Sequence, residues 1–166
     1  MIFLFFLPFA LQTLAIVFDE FYFHHKRGLP KWERIGHPID TLSVLACFAI
    51  VLFVPFDSKL IPAYAILSFF SCLLVTKDEF VHKEHCTAEE SWLHSLLFIN
   101  HPIVLILLGF FWPLFHEQPS LLNLFEYQEM LEIFVQFQAG STLIFFLYQV
   151  IYWNFYVKET DQQRLL

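Results

Sequence analysis

Long apolar runs alternate with short polar stretches along the chain. Five runs meet or approach the length of about 20 residues that a helix needs to cross the hydrocarbon core of a bilayer. These runs cover residues 1–18, 38–56, 60–76, 92–115 and 133–157. The first is expected to continue as a helix through the polar residues 19–25. The pattern predicts an all-α integral membrane protein with about five transmembrane helices.

Composition agrees with this prediction and narrows the class of function. Of 166 residues, 58% are hydrophobic and 15% are charged, whereas a soluble domain carries about 25% charged residues. The net charge of −7 excludes a nucleic-acid-binding protein, because binding to phosphate backbones needs a basic face. Cys47, Cys72 and Cys86 show no paired spacing, so no disulfide framework is expected.

The basic residues predict the orientation of the helices. Residues 1–18 lack a positively charged start and a small-residue cleavage site, so we expect a retained helix rather than a signal peptide. If the chain has five spans, most of the Lys and Arg residues of the loops and the C-terminal tail fall on one side of the membrane, while the other side has Lys59. The residues on the basic side are Lys26, Arg27, Lys31, Arg34, Lys77, Lys83, Lys158 and Arg164. The positive-inside rule therefore predicts an outside N-terminus and a cytoplasmic C-terminus.

Two polar stretches, within residues 18–40 and 77–94, resemble each other. Each begins with Asp-Glu-Phe, continues to a histidine, and ends with Glu-x3-His at the start of the next apolar run. We therefore expect a single membrane domain in which spans one to four form a pseudo-twofold four-helix bundle. Its predicted parts are 1–56 (repeat 1), 57–115 (repeat 2), 116–132 (interfacial connector) and 133–166 (fifth helix and cytoplasmic tail).

Carboxylates and histidines in these stretches recur at helical spacing. Residues three, four or seven apart share a helix face, so each of four helices presents both groups near its cytoplasmic end. His37 and His94 are the leading candidates, while Glu33, Asp40, Glu90 and His101 could be ligands or could orient an imidazole. The predicted metal-site residues are Glu20, His24, Glu33, His37, Asp40, Glu79, His82, His85, Glu90, His94 and His101.

Mixed oxygen and nitrogen ligands suit iron, zinc or manganese, and more than four candidate ligands favour two ions. The Glu79–His82 pair has the E-x-x-H spacing, and in ligand types and four-helix geometry the chain resembles ferritin-like di-iron bundles. Histidines at helix ends also resemble those of membrane fatty-acid desaturases and hydroxylases, although the H-x-x-H-H boxes of those enzymes are absent. These resemblances imply a di-metal centre, with iron favoured.

The predicted function is therefore that of a membrane metalloenzyme, a di-metal oxidoreductase acting on a lipid or other hydrophobic substrate at the cytoplasmic interface. An electron-donor protein is an expected partner, and a metal-dependent hydrolase is the second choice of enzyme. Tyr148, Gln149, Tyr152 and Asn154 form either an aromatic belt or a wall of the substrate pocket.

Three other functions stay open at this stage. Facing histidines could hold a haem for electron transfer, although that leaves the carboxylates unused. Carboxylates and histidines could also form a cation or proton path, although most of them lie on one side of the predicted membrane. A non-catalytic membrane scaffold is the third alternative.

Overall fold

The computed structural model describes residues 2–77, 86–122 and 124–157. Within these ranges every regular element is helical, and five helices are long and apolar enough to cross a membrane. They are α1 (Phe3–Arg27), α2 (Lys31–Phe53), α3 (Ser58–Lys77), α4 (Ala88–Phe115) and α5 (Phe125–Tyr156). The predicted all-α class with five candidate spans is confirmed. Membrane insertion and the pseudo-twofold relation stay predictions.

Helix α1 changes its hydrogen-bonding pattern along its length. It is α-helical over Phe3–Phe18, π-helical over Asp19–His24, and ends in one further turn, His25–Arg27. It thus continues through the polar residues as predicted. Gly28 follows with a φ of 77°, which glycine adopts without steric cost, and its N–H donates to the carbonyl oxygen of His24 at 2.8 Å.

Three helices begin at least four residues earlier than the apolar runs predict. Helix α2 begins at Lys31 rather than at residue 38, and α4 begins at Ala88 rather than at residue 92. Helix α5 begins with a 3₁₀ turn at Phe125, so the predicted connector 116–132 is helical from that residue onward. In α2 and α4 the added turns carry the buried carboxylates of Glu33 and Glu90, which a search for apolar runs cannot count as buried.

The helices pack so that one half of the bundle is an apolar core. Helix α1 packs on α4, and α2 packs on α3, α4 and α5. Two buried side chains in the core donate hydrogen bonds to backbone carbonyl oxygens. Tyr64 Oη donates to Leu105 at 2.7 Å, and Trp112 Nε1 donates to Val54 at 2.8 Å. The core includes Phe9, Cys47, Phe48, Val51, Leu105, Leu108, Phe111, Trp112, Leu131 and Val135. The other half of the bundle contains the polar side chains.

Candidate metal centre

A group of buried polar side chains lies where α1 ends and where α2 and α4 begin. Each of the three helices contributes at least one carboxylate and one histidine, and α1 adds an arginine. We call this group the polar cluster; it consists of Asp19, Glu20, His24, Arg27, Glu33, His37, Glu90 and His94. The carboxylates are 6% exposed or less, so the cluster is shielded from solvent.

The π-helical segment brings two carboxylates to one imidazole. His24 Nδ1 lies 3.1 Å from Glu20 Oε2, and His24 Nε2 lies 3.2 Å from Asp19 Oδ2. Residues five apart do not share a face of an α-helix, but i→i+5 bonding brings them together in a π-helix, which is often found at functional sites. The local change of pitch therefore explains why Asp19 reaches His24.

Four of the buried side chains could hold one metal ion. Asp19, His24, Glu90 and His94 each offer a ligand atom, and these atoms all lie within 4.8 Å of one another. His94 Nε2 is 3.2 Å from Asp19 Oδ1, and His24 Nε2 is 3.9 Å from Glu90 Oε1. Two ligand atoms about 2.0–2.2 Å from a shared ion are roughly 3–3.6 Å apart. These spacings fit a metal ion after small side-chain adjustments.

A second group of three side chains overlaps the first. His24, Glu33 and His37 also offer ligand atoms within 4.8 Å of one another, and the rings of His24 and His37 have centroids 4.9 Å apart. His24 belongs to both groups, and its Nδ1 faces Glu20. Its Nε2 can therefore serve one ion, and a second ion beside Glu33 and His37 needs a further ligand.

Arg27 connects the second group to the first. Its Nε donates to Glu90 Oε1 at 3.0 Å, and its Nη2 donates to Glu33 Oε2 at 2.8 Å. Glu90 lies in the first turn of α4, where its backbone N–H donates to Thr87 Oγ1, the N-cap interaction typical of a Thr-x-x-Glu sequence. The arginine thus bridges α2 and α4 through two buried carboxylates.

Negative charge exceeds positive charge in the polar cluster. Four carboxylates and one guanidinium leave a formal charge of −3 among the described residues when the imidazoles are neutral. Burial and the neighbouring Glu90 carboxylate raise the pKa of the nearby Cys86 thiol, so this thiol is neutral and does not change the sum. An uncompensated buried ion costs several kcal/mol. The cluster therefore needs compensation of its charge, by protons on imidazoles or carboxylates or by metal ions.

Helix α5 covers the outer side of the cluster with aromatic side chains. The indole Nε1 of Trp153, which is buried, donates to Glu20 Oε1. Tyr148 Oη lies 2.7 Å from His25 Nε2, and the Tyr152 ring stacks on the His25 ring with centroids 5.1 Å apart. Trp153 thus fixes the carboxylate that in turn faces His24 Nδ1.

Two predicted ligands lie away from the polar cluster. Asp40 accepts from Lys77 Nζ at 2.7 Å. His101, buried deeper along α4, has Nδ1 3.2 Å from Gln12 Nε2 and Nε2 3.0 Å from Ser71 Oγ. We call the hydrogen-bonded set around His101 the neutral network; it consists of Gln12, Ser43, Ser71, Asn100 and His101. Predicted ligands Glu79, His82 and His85 lie outside the described residues.

A cavity of about 480 Å³ adjoins the polar cluster and extends toward the apolar core. Asp19, Glu20, His24, His37 and His94 line one end of the cavity, and most of its remaining wall is Val, Ile, Leu and Phe. Small-molecule sites usually have volumes of about 300–1,000 Å³ and mostly apolar walls with a few polar groups. The cavity has both properties.

The four predicted pocket residues of α5 occupy different places. Tyr148 and Gln149 line the cavity, and Gln149 Oε1 accepts from Thr41 Oγ1 at 2.8 Å. Tyr152 packs on His25 beside the cluster. Asn154 is exposed, and its side-chain amide donates to the carbonyl oxygen of Val150.

The structure adds three residues to this site. Asp19 and Trp153 are not among the residues that the sequence predicts for it, and Arg27 enters the sequence analysis as one of the basic residues that predict the orientation. The signal for Asp19 in the sequence is the Asp-Glu pair a few residues before His24. No short-range pattern could indicate that Arg27 contacts Glu90 or that Trp153 contacts Glu20, because these partners are 63 and 133 residues apart.

Comparison of the chain with protein-family models, with curated proteins and with solved structures finds no match.

Proposed function

We propose that the protein is a membrane-embedded metalloenzyme of the di-metal oxidoreductase type that acts on a lipid or another hydrophobic substrate. The observation that carries the proposal is the setting of His24. Both of its ring nitrogens face carboxylate oxygens, at 3.1 and 3.2 Å, but a neutral imidazole has a single N–H. Nε2 is buried and makes no hydrogen bond within the described part of the chain.

A metal ion at Nε2 accounts for this arrangement. His24 Nδ1–H then donates to Glu20, and Nε2 coordinates the ion with Asp19, Glu90 and His94. Carboxylate–histidine–metal triads of this kind fix the ring and increase its basicity as a ligand. Glu20, expected as a ligand from the sequence, takes the supporting position in this proposal, and Trp153 holds Glu20 in turn.

The charge of the cluster is compatible with one or with two divalent ions. The cluster's formal charge of −3 becomes −1 with one divalent ion and +1 with two. We place the second ion beside Glu33 and His37, where a carboxylate and an imidazole approach the first group. Carboxylate and imidazole ligation from several helices suits iron, with manganese and zinc as other ions that accept the same ligands.

The reaction we propose is oxygen-dependent hydroxylation of the hydrophobic substrate. One oxygen atom of dioxygen enters a C–H bond of the substrate, and the other leaves as water after uptake of two electrons and two protons. A reduced electron-donor protein supplies the electrons. The metal ions would supply the oxygen chemistry, while the chain holds the substrate in the apolar cavity and shields the site from solvent.

The placement of the cluster also bears on the other functions considered. A haem between His24 and His94 would have to displace Asp19, whose two oxygens each lie 3.2 Å from one of these histidines. A cation or proton path would need polar groups through the whole bundle, but the core of the described residues is formed by apolar side chains. Both observations favour a metal centre.

Basic residues at the C-terminal end of α1 and at the beginning of α2 support a cytoplasmic location for the end of the bundle that holds the polar cluster. The N-terminus is then outside and the C-terminus in the cytoplasm.

Isotopically labelled dioxygen tests the reaction. Metal-loaded protein in lipid nanodiscs, supplied with a chemical reductant and a total membrane lipid extract, should place the label in a lipid product. His24→Ala should abolish incorporation. His116→Ala should retain it, because His116 lies at the other end of the bundle against the Val51 carbonyl. A parallel reaction in isotopically labelled water provides the opposite outcome: oxygen that enters the product from water instead of dioxygen would replace the oxidoreductase proposal with a hydrolase.

A further inference from the structure

The cavity is bounded by residues of all five helices and has two chemically different ends. The polar cluster forms one end. Phe9 of α1, Phe48 of α2 and Val104 of α4 line it toward the apolar core. From His94 to Val104 the axis of α4 rises about 15 Å. Gln12 and His101 of the neutral network and Asp40 also line the wall, but Val, Ile, Leu and Phe make up most of it outside the cluster. A ligand that fills this space therefore has a long, mainly apolar part and a polar end at the cluster.

The cavity opens on the side of the bundle. Residues that both line the cavity and are exposed mark the opening: Val17 (42% exposed) and Phe21 (54%) on α1, and Ile144 (70%) on α5. These residues belong to helices long and apolar enough to cross a membrane. If the helices cross the bilayer, the opening faces lipid.

Contacts between α1 and α5 frame this opening. Thr13 Oγ1 donates to Gln138 Oε1 at 3.2 Å on the side of the apolar core. On the side of the cluster the rings of Phe21 and Tyr148 lie with centroids 5.5 Å apart. Residues 13 and 21 are about 12 Å apart along the axis of α1. An apolar chain can pass between these two contacts from the side.

At the cluster end, buried residues among the described ranges limit the cavity. Leu29 is 2% exposed and Trp153 is 3% exposed, Trp153 donates to Glu20, and Arg27 crosses between α2 and α4. The space that the described residues enclose extends from the cluster toward the apolar core.

We infer that the cavity binds a single-chain lipid that enters between α1 and α5, with its tail toward Phe9, Phe48 and Val104 and its polar end at the polar cluster. The inference rests on the proposed function for the chemistry at the cluster, but binding of the chain does not require the metal. It deepens that function by placing the reacting carbon next to the polar end of the lipid. A reaction in the middle of a chain would need the chain to extend on both sides of the cluster.

Photo-crosslinking tests this orientation. Two hexadecanol probes are used, one with a diazirine at the methyl end and one with a diazirine next to the hydroxyl. The neutral alcohol avoids repulsion by the carboxylates in metal-free protein. Each probe is added to the full-length protein in phosphatidylcholine nanodiscs, irradiated, and mapped by mass spectrometry. The methyl-end probe should label the peptides of Phe9, Phe48 and Val104, and the hydroxyl-end probe those of His94 and Phe21.

A pair of variants on α5 provides the matched control. Ser141 lines the cavity, whereas Gly140 is exposed and a Cβ added there meets no atom within 4 Å. Ser141→Phe should reduce labelling by both probes at least tenfold. Gly140→Phe, which adds the same bulk one residue away, should leave labelling unchanged.

The outcomes separate this inference from the proposed function. A reversed pattern, the same pattern for both probes, or an equal effect of the two phenylalanine variants would overturn the inference. So would labelling of the same peptides by a photoactivatable diacyl phosphatidylcholine that hexadecanol does not displace. The labelling pattern of the wild-type protein tests the orientation of the lipid even if Ser141→Phe fails to fold. If the expected labelling pattern is seen in a protein that binds no metal, the lipid-binding inference is supported and the metalloenzyme proposal is contradicted. If the protein binds metal but no cavity peptide is labelled, the metalloenzyme proposal is supported and the lipid-binding inference is contradicted.

Discussion

His24 and His101 are equally buried, each 2% exposed, but their surroundings differ. His101 has an amide on one ring nitrogen and a hydroxyl on the other. Gln12 can donate to Nδ1, so that Nε2 carries the hydrogen and donates to Ser71, and one neutral tautomer satisfies both contacts. His24 has carboxylates on both nitrogens, which a neutral ring cannot satisfy. Charge around the imidazole, rather than its burial, distinguishes the candidate metal ligand His24 from His101, which neutral groups hold.

Among the predicted changes, removal of the Arg27 side chain should have the largest effect on stability. Arg27→Ala leaves the buried carboxylates of Glu33 and Glu90 without their guanidinium, and breaking a buried ion pair costs about 3–5 kcal/mol. Added metal should recover part of this loss, because a divalent ion replaces the missing charge. Arg34→Ala is the control, since Arg34 donates to the backbone carbonyls of Leu29 and Trp153. Thermal unfolding with and without manganese measures the loss of stability and its recovery in both variants. Equal recovery in the two variants would contradict the idea that a divalent ion replaces the charge of Arg27.

The two histidines can be compared directly through metal affinity. His24→Ala removes the proposed Nε2 ligand and should weaken metal binding by more than the 10–100-fold typical of an outer-shell partner. His101→Ala should leave the affinity within about twofold of wild type, because a residue in the neutral network contributes no ligand. Competition with a metallochromic chelator gives both values. Similar losses in the two variants would erase the distinction between the two sites.

Two buried tryptophans test the support of His24 through Glu20. Trp153→Phe removes the donor to Glu20 and should weaken metal binding about 10–100-fold. Trp112→Phe removes a comparable donor to the Val54 carbonyl in the apolar core and should lower stability without changing affinity. The same chelator titration separates them, and an unchanged affinity in Trp153→Phe would remove Glu20 from the site.

The smallest effect is expected in the neutral network. Ser71→Ala leaves the His101 Nε2–H without its acceptor, while the Ser43 hydroxyl still donates to the carbonyl oxygen of Asp40; the loss should cost about 1–2 kcal/mol of unfolding free energy. The loss should be the same with and without metal. Chemical denaturation in both conditions checks this, and a metal-dependent loss would show that the network belongs to the site.

Apolar runs were sufficient to predict the five helices, because a helix that crosses a bilayer must satisfy its own backbone and present apolar side chains. They could not define where α2 and α4 begin, since Glu33 and Glu90 are polar in sequence but buried in the fold. Burial there depends on Arg27, which reaches both carboxylates from α1. That contact belongs to the tertiary structure alone.

Helical spacing placed Glu20, His24, Glu33, His37, Glu90 and His94 on candidate stripes, and the structure brings these side chains together. The same spacing also selected Asp40 and His101, which lie deeper, because periodicity defines a face but not a depth. Asp19 was missed because α-helical spacing sends it away from His24, and the π-helical segment reverses this. A local change in helix pitch was not readable from the residues.

Elemental analysis of the purified protein measures whether the polar cluster binds metal. Wild-type protein expressed with added iron, zinc and manganese is compared with two double variants, His24→Ala/His94→Ala and His101→Ala/His116→Ala. We expect about two equivalents of transition metal in wild type, retained in the second variant and lost in the first. Metal-free wild-type protein, or equal metal in both variants, would contradict a metal centre at the polar cluster.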